Sequence, residues 1–446
     1  MTTETFDLVL RNGTVWTPGG PVEADVAVRG GRIIHVGSVP TGAGAQDMDC
    51  TGLTVLPGVI DSQVHFREPG LEHKEDLETG TRGAVLGGVT GIFEMPNTNP
   101  STTTADGIAD KVARGKGRAW CDHAFFLGAA GDNVAHLAEW ERVPGCAGVK
   151  VFMGSSTGSL LVEDDAVLAQ VLAAGTRRVA VHCEDEGRLR ERRHLVEGGA
   201  PVTMHPEWRD AETALRATKR LVALAEKARR RVHVLHITTA EEIDFLAGHK
   251  DLVTVETTPQ HLTLAGPEAY ERLGTKAQMN PPIRDARHRD GLWRGIAEGV
   301  VDVIGSDHAP HTLEEKSKPY PASPSGMTGV QTLVPVMLTH VAEGRLSLAR
   351  FVDLTSAGPA RIFGIAGKGR IARGYDADFT VVDLKACREI TDAWIASRCG
   401  WTPFDGFQAK GWAVATIIRG NIVMRDDELQ ASPIGRPVRF QECYPA

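Results

Sequence analysis

From about residue 57 to residue 364 the chain repeats one pattern eight times. A short apolar or β-branched run is followed by a helical stretch. The runs are 59–61, 92–95, 124–127, 149–152, 179–182, 232–236, 253–256 and 301–304. Between them, segments such as 76–86 and 211–228 carry apolar residues at helical spacing. Eight such units in roughly 250–310 residues predict a parallel (β/α)8 TIM barrel. A doubly wound open sheet is the alternative, but the Gly-rich dinucleotide turn is missing after the first run.

Both ends of the chain read differently. The runs 6–10, 24–28 and 33–36 are separated by Arg11-Asn12-Gly13 and Arg29-Gly30-Gly31, which read as tight turns. The runs 378–382 and 414–418, the latter closed by Arg419-Gly420-Asn421, repeat the style near the other end. The expected organisation is a small β-sandwich domain formed from both termini, residues 1–57 and 366–446, around a barrel spanning 58–365.

Composition removes several function classes. Forty-nine basic against 57 acidic residues give a net charge of −8, the wrong sign for phosphate-backbone binding, so no nucleic acid partner is expected. No apolar run approaches the ~18 residues of a membrane span, and the first ten residues lack the apolar core of a signal peptide. Seven scattered cysteines without a C-x-x-C pair argue against a zinc ribbon or a disulfide framework. A cytoplasmic protein acting on a small molecule, with no membrane partner, is the expectation.

Chemistry-bearing residues gather at the carboxyl ends of the runs, the end that carries the active site in such barrels. Run one leads into Gln63, His65 and Arg67; run four contains Lys150; run five ends at His182, run six at His236, and run eight leads to Asp307. One strand histidine is more often structural than ligating. Five ionisable groups at five strand ends are another matter, because burying each alone costs several kcal/mol. A shared metal centre satisfies them together. Gln63 and His65, two apart, are expected to point the same way. Of His233 and His236, three apart, His236 is expected inside the barrel and His233 outside.

The motifs resemble those of a known family. Pro57-Gly58-Val59-Ile60-Asp61, followed by Val64-His65-Phe66-Arg67-Glu68-Pro69-Gly70, resembles the opening signature of the dihydroorotases, cyclic amidohydrolases of pyrimidine biosynthesis. Met95-Pro96-Asn97-Thr98, Gly148-Val149-Lys150-Val151-Phe152, His182-Cys183-Glu184-Asp185 and Gly305-Ser306-Asp307-His308-Ala309-Pro310-His311 resemble its later blocks, in order. Asn280-Pro281-Pro282-Ile283-Arg284 and Ser325-Gly326-Met327 extend the match.

The resemblance implies one or two zinc ions bridged by a carboxylated Lys150. His182 and His236 would hold one ion, and His65 and Asp307 the other. It departs from the pattern at Gln63, which replaces the first histidine of the His-x-His signature and is at best a weak ligand through its neutral amide oxygen. Asp307 is implied as general base and then acid. Arg67, Asn97 and His311 would clamp the carboxylate of dihydroorotate, or of N-carbamoyl-aspartate in the reverse direction, with Asn280 on the ring. A homo-oligomer is expected. The polar 312–328 segment suggests a lid. The alternatives are a hydantoinase, dihydropyrimidinase or allantoinase acting on another cyclic amide, and a non-catalytic scaffold for a carbamoyltransferase, suggested by Gln63.

Overall fold

The structure is a computed structural model that describes residues 5–155, 160–430 and 432–442. Five strands open the chain: β1 (Phe6–Thr17), β2 (Gly20–Arg29), β3 (Arg32–Gly37), β4 (Gly44–Asp49) and β5 (Thr54–Pro57). Eight parallel strands follow: β6 (Val59–Val64), β7 (Val89–Glu94), β8 (Asp122–Gly128), β9 (Cys146–Phe152), β10 (Val179–His182), β11 (Val232–Val234), β12 (Val253–Thr257) and β13 (Val303–Ile304). The chain then returns to the first sheet with β14 (Phe379–Ile390), β15 (Phe407–Ile418), β16 (Asn421–Arg425) and β17 (Glu428–Leu429).

The eight parallel strands pair in sequence order from β6 to β13. Residues beyond β13 close the ring. His65 N–H donates to the His308 carbonyl at 2.7 Å, and Ser306 N–H to Asp61 Oδ1 at 2.9 Å. All eight expected runs fall on these strands, and every strand is buried along its length, as parallel strands covered on both faces must be. Outward side chains such as Val149, Val181 and Val234 pack with the surrounding helices. Inward ones such as Ile60, Phe93, Phe126 and Ala180 meet Phe363 and Phe440, which floor the barrel. The helices begin where the sequence offers caps. Asp76 caps Leu77–Leu86 with a capping box, and Asp210 caps Ala211–Ala228.

The terminal strands form one continuous sheet in the order β17-β16-β15-β14-β5-β1-β2-β3, with β4 added on β1. The halves join where β5 pairs antiparallel with β14, Val55 opposite Val381. Two expectations need correction. Arg11-Asn12-Gly13 is not a hairpin turn: β1 runs through it as a bulge, with Asn12 at φ 57° and the register shifting between Leu10 and Gly13. His233 does not face outward either. Its neighbours Val232 and Val234 take the helix side, so His233 points into the barrel against Thr254 and Glu256. His236 still reaches the interior because the strand ends at Val234 and the left-handed backbone at His236 (φ 37°) breaks the alternation.

Candidate active site

A pocket opens among the carboxyl ends of the barrel strands, with about 350 Å³ of empty space. Its walls bring together Gln63, His65, Arg67, Asn97, Lys150, Phe152, His182, His236, Asn280 and Asp307, with Ser325 and Gly326 at one side. A bulge in β6, where the pairing with β7 slips between Asp61 and Val64, turns Gln63 and His65 to the same side. Three of these residues have left-handed backbones: Arg67 at φ 67°, His236 at φ 37° and Asp307 at φ 45°. Such conformations cost about 1–3 kcal/mol each and persist where the surroundings hold them for function. Gly326, at φ 145°, admits no larger residue, since a Cβ there would lie 2.3 Å from the Ala309 carbonyl oxygen.

The histidines are oriented from behind. His182 Nε2 lies 2.9 Å from Glu184 Oε2, and Glu184 is gripped by Arg209 (Nε–Oε1 3.0 Å, Nη2–Oε2 2.5 Å). That carboxylate accepts from Nε2–H and leaves Nδ1 with its lone pair, 3.0 Å from His236 Nε2. His65 Nδ1 sits 2.7 Å from Asn97 Oδ1, so its proton is there and Nε2 faces Asp307 Oδ1 at 3.2 Å. Burial lowers the pKa of all three rings and keeps them neutral. Lys150 is buried with no carboxylate in ion-pair distance among the described residues; its ammonium lies 4.4 Å from the Phe152 ring. Burial pulls its pKa down to about 7, within reach of the neutral amine.

Among the described residues no three His, Cys, Asp or Glu side chains converge as a ready-made ion site. The donor chemistry nevertheless fits a metal. Gln63 Oε1 and His236 Nδ1 are buried without partners. If His236 instead carries its proton on Nδ1, two lone pairs face each other across 3.0 Å. A divalent cation relieves either arrangement. Gln63 meanwhile donates through Nε2 to Asp307 Oδ1 at 3.0 Å.

The carboxylate-binding candidates separate. Arg67 is buried, donates through Nε to the Pro310 carbonyl at 3.2 Å, and has no partner for Nη1. His311 stands behind it rather than in the pocket wall. Its Nε2 lies 3.0 Å from the Ser325 carbonyl and 3.3 Å from Arg67 Nη2, while Nδ1 is 3.1 Å from Lys74 Nζ. Only a protonated Nε2 suits that carbonyl and that ammonium together, so His311 gives Arg67 Nη2 no acceptor. Asn97 spends its carbonyl on His65, and Asn280 lines the pocket from the far side. In the 312–328 segment, Lys316 is buried rather than a surface charge, donating to the carbonyls of Gln278 (3.0 Å), Pro324 (2.9 Å) and Gly326 (3.1 Å).

The supporting groups Glu184, Arg209 and Lys74 were not singled out from sequence. The one available signal was Glu184, two residues past His182 in an apolar run.

Residues 54–423 match the amidohydrolase family. A dihydroorotase of Halobacterium salinarum is 36% identical over 438 residues, spanning 97% of this chain and 99% of that protein. A dihydroorotase of Methanosarcina mazei is 32% identical over 443 residues, spanning 96% of each. The chain belongs to the dihydroorotase branch of the amidohydrolase family. Solved amidohydrolase structures superpose over the whole molecule. The L-hydantoinase (dihydropyrimidinase) of Arthrobacter aurescens covers 97% of this chain, and all of its own length, at TM-score 0.91 and 28% identity. The dihydropyrimidinase of Brevibacillus agri NCHU1002 gives 0.89 and 28%, over 98% of this chain and 99% of its own. As an amidohydrolase of this branch, the chain is a cyclic amide hydrolase, and the family implies a metal.

Proposed function

We propose that this protein is a dihydroorotase, opening and closing the ring between dihydroorotate and N-carbamoyl-aspartate in pyrimidine synthesis. The observation that carries the choice of substrate is Arg67. Its guanidinium is buried at the pocket wall, Nη1 is unpartnered, and no carboxylate lies within 4 Å among the described residues. Burial lowers its pKa only to about 10, so it stays charged. A buried cation without a counter-ion is costly, and a substrate carboxylate would supply one through two parallel N–H···O bonds. Hydantoin, dihydropyrimidine and allantoin rings carry no such carboxylate.

The residues suited to holding zinc are His65, His182, His236, Asp307 and a carboxylated Lys150, with Gln63 a weaker contributor through Oε1. When bound, the metal supplies Lewis acidity, activating water and polarising the scissile carbonyl. Asp307, held by the Gln63 amide, takes the proton of the attacking water and returns it to the leaving ring nitrogen. Arg67 fixes the substrate carboxylate, Asn97 fixes His65, and Asn280 contacts the ring.

The hydantoinase reading draws on the solved structural neighbours. The scaffold reading draws on Gln63 alone and leaves the oriented histidines without a purpose. Ultraviolet assays with zinc-supplemented protein on dihydroorotate, hydantoin and allantoin separate all three. Turnover of dihydroorotate alone is expected. Equal turnover of hydantoin, or no turnover of any, would contradict the proposal.

A further inference from the structure

We infer that Asn280 meets the substrate as a hydrogen-bond donor only, because His205, its tautomer fixed by the Met279 carbonyl, holds its side-chain amide in a single orientation. This rests on the dihydroorotase reading and specifies the substrate group that faces that wall. Asn280 lines the pocket with its Oδ1 3.1 Å from His205 Nε2. The same nitrogen is 3.0 Å from the Met279 carbonyl oxygen, and His205 Nδ1 is 3.2 Å from the Tyr320 hydroxyl. The ring is fully buried, and burial pushes its pKa down to about 3, so it carries one N–H.

The Met279 carbonyl breaks the degeneracy. A carbonyl only accepts, so the proton is on Nε2, and Nδ1 accepts from the Tyr320 hydroxyl. An Nε2–H shared between two neighbours needs acceptors from both, which Asn280 meets with Oδ1. Turning the amide over would set Nδ2 against that N–H, donor on donor, and leave a buried group unsatisfied. Nδ2 is therefore left for the pocket, and no described residue takes it. A donor at this wall fits a ring carbonyl oxygen of a cyclic ureide and rejects a ring N–H. The orientation is thus set by His205 and the Met279 carbonyl, while Ser325 and Gly326 of the 312–328 segment line the pocket itself.

Steady-state kinetics of the full-length, zinc-supplemented protein on dihydroorotate tests this. Asn280→Asp keeps the size but presents only acceptors, one of them taken by His205. It should raise KM more than tenfold, above the rise for Asn280→Ala, with kcat within about threefold of wild type. His205→Ala frees the amide to rotate and should raise KM about fivefold, the worth of one hydrogen bond. The double variant His205→Ala/Asn280→Ala should be no worse than Asn280→Ala alone. An Asn280→Asp protein less impaired than Asn280→Ala, or additive effects in the double variant, would overturn the inference. Should His205→Ala fail to fold, the Asp-against-Ala comparison decides alone. Wild-type protein inert toward dihydroorotate would overturn the dihydroorotase reading and this inference with it; turnover with an unimpaired Asn280→Asp would overturn the inference only.

Discussion

The two ends of the barrel treat buried charge in opposite ways. At the floor, Lys368 is surrounded by Asp122 at 2.7 Å, Asp376 at 3.5 Å and Asp378, with Arg419 completing Asp122. Phe93 of the same floor meets Phe126, Phe363 and Phe440 edge to face. At the mouth, Arg67, Gln63 and His236 each keep a buried polar atom without a partner, and three backbones sit in the left-handed region. Neutralised charge joins the terminal sheet to the barrel and stabilises the fold. The unpaired Arg67 guanidinium is available to an anionic ring, and the neutral, unpartnered Gln63 and His236 atoms to a metal. Lys368 and Arg67 are both buried, and pairing rather than burial distinguishes them.

Substitutions at the two ends should diverge, and the largest effect is at the mouth. Asp307→Asn should cut kcat about a thousandfold, within the range of a lost general acid–base, while the melting temperature stays near that of wild type. A thermal shift as large as the activity loss would mean that Asp307 is structural. Next comes the matched pair Lys368→Met and Arg67→Met. The first strips the counter-ion from three carboxylates and should cost about 3–5 kcal/mol in denaturant unfolding, leaving KM of the folded fraction unchanged. The second removes a cation without a counter-ion, so stability should hold or rise while KM for dihydroorotate increases about a hundredfold. If both variants lose stability equally, the contrast between the two ends fails. Glu184→Gln should weaken metal retention about 10- to 100-fold by releasing His182, measured by competition with a chelator.

The last expected effect concerns pH. Burial raises the Glu256 carboxyl beneath the pocket from 4.5 to about 8. The folded state therefore binds the extra proton between those values, and stability falls as pH rises through that window. Glu256→Gln, neutral at every pH, should flatten that slope between pH 5 and 8 and leave stability at pH 5 nearly unchanged.

Much of this was legible in the sequence because barrel strands are short, apolar and regularly spaced. Each of the eight runs contains strand residues, and the helix Ala211–Ala228 fills the segment its periodicity marked out. Gln63, His65, Arg67, Lys150, His182, His236 and Asp307 could be singled out because they lie at or just past the carboxyl ends of the runs, where such a barrel carries its active site, and they do meet in one pocket. What was not legible is tertiary or depends on local backbone breaks. Two-residue alternation sent His233 outward because nothing in the sequence marks the left-handed turn at His236. The bulge at Asn12 read as a turn because both use positive φ at the same residue type. The Glu184–Arg209 pair spans 25 residues, and burial of Lys316 depends on three carbonyls brought together only by folding.

The central claim, that Arg67 is an uncompensated cation waiting for a substrate carboxylate, is tested most directly by thermal shift. Zinc-loaded wild-type and Arg67→Met proteins would be titrated with dihydroorotate and, separately, with hydantoin. The account predicts that dihydroorotate raises the melting temperature of the wild type, that hydantoin raises it far less, and that Arg67→Met abolishes the difference. Equal stabilisation of both proteins by dihydroorotate would contradict it.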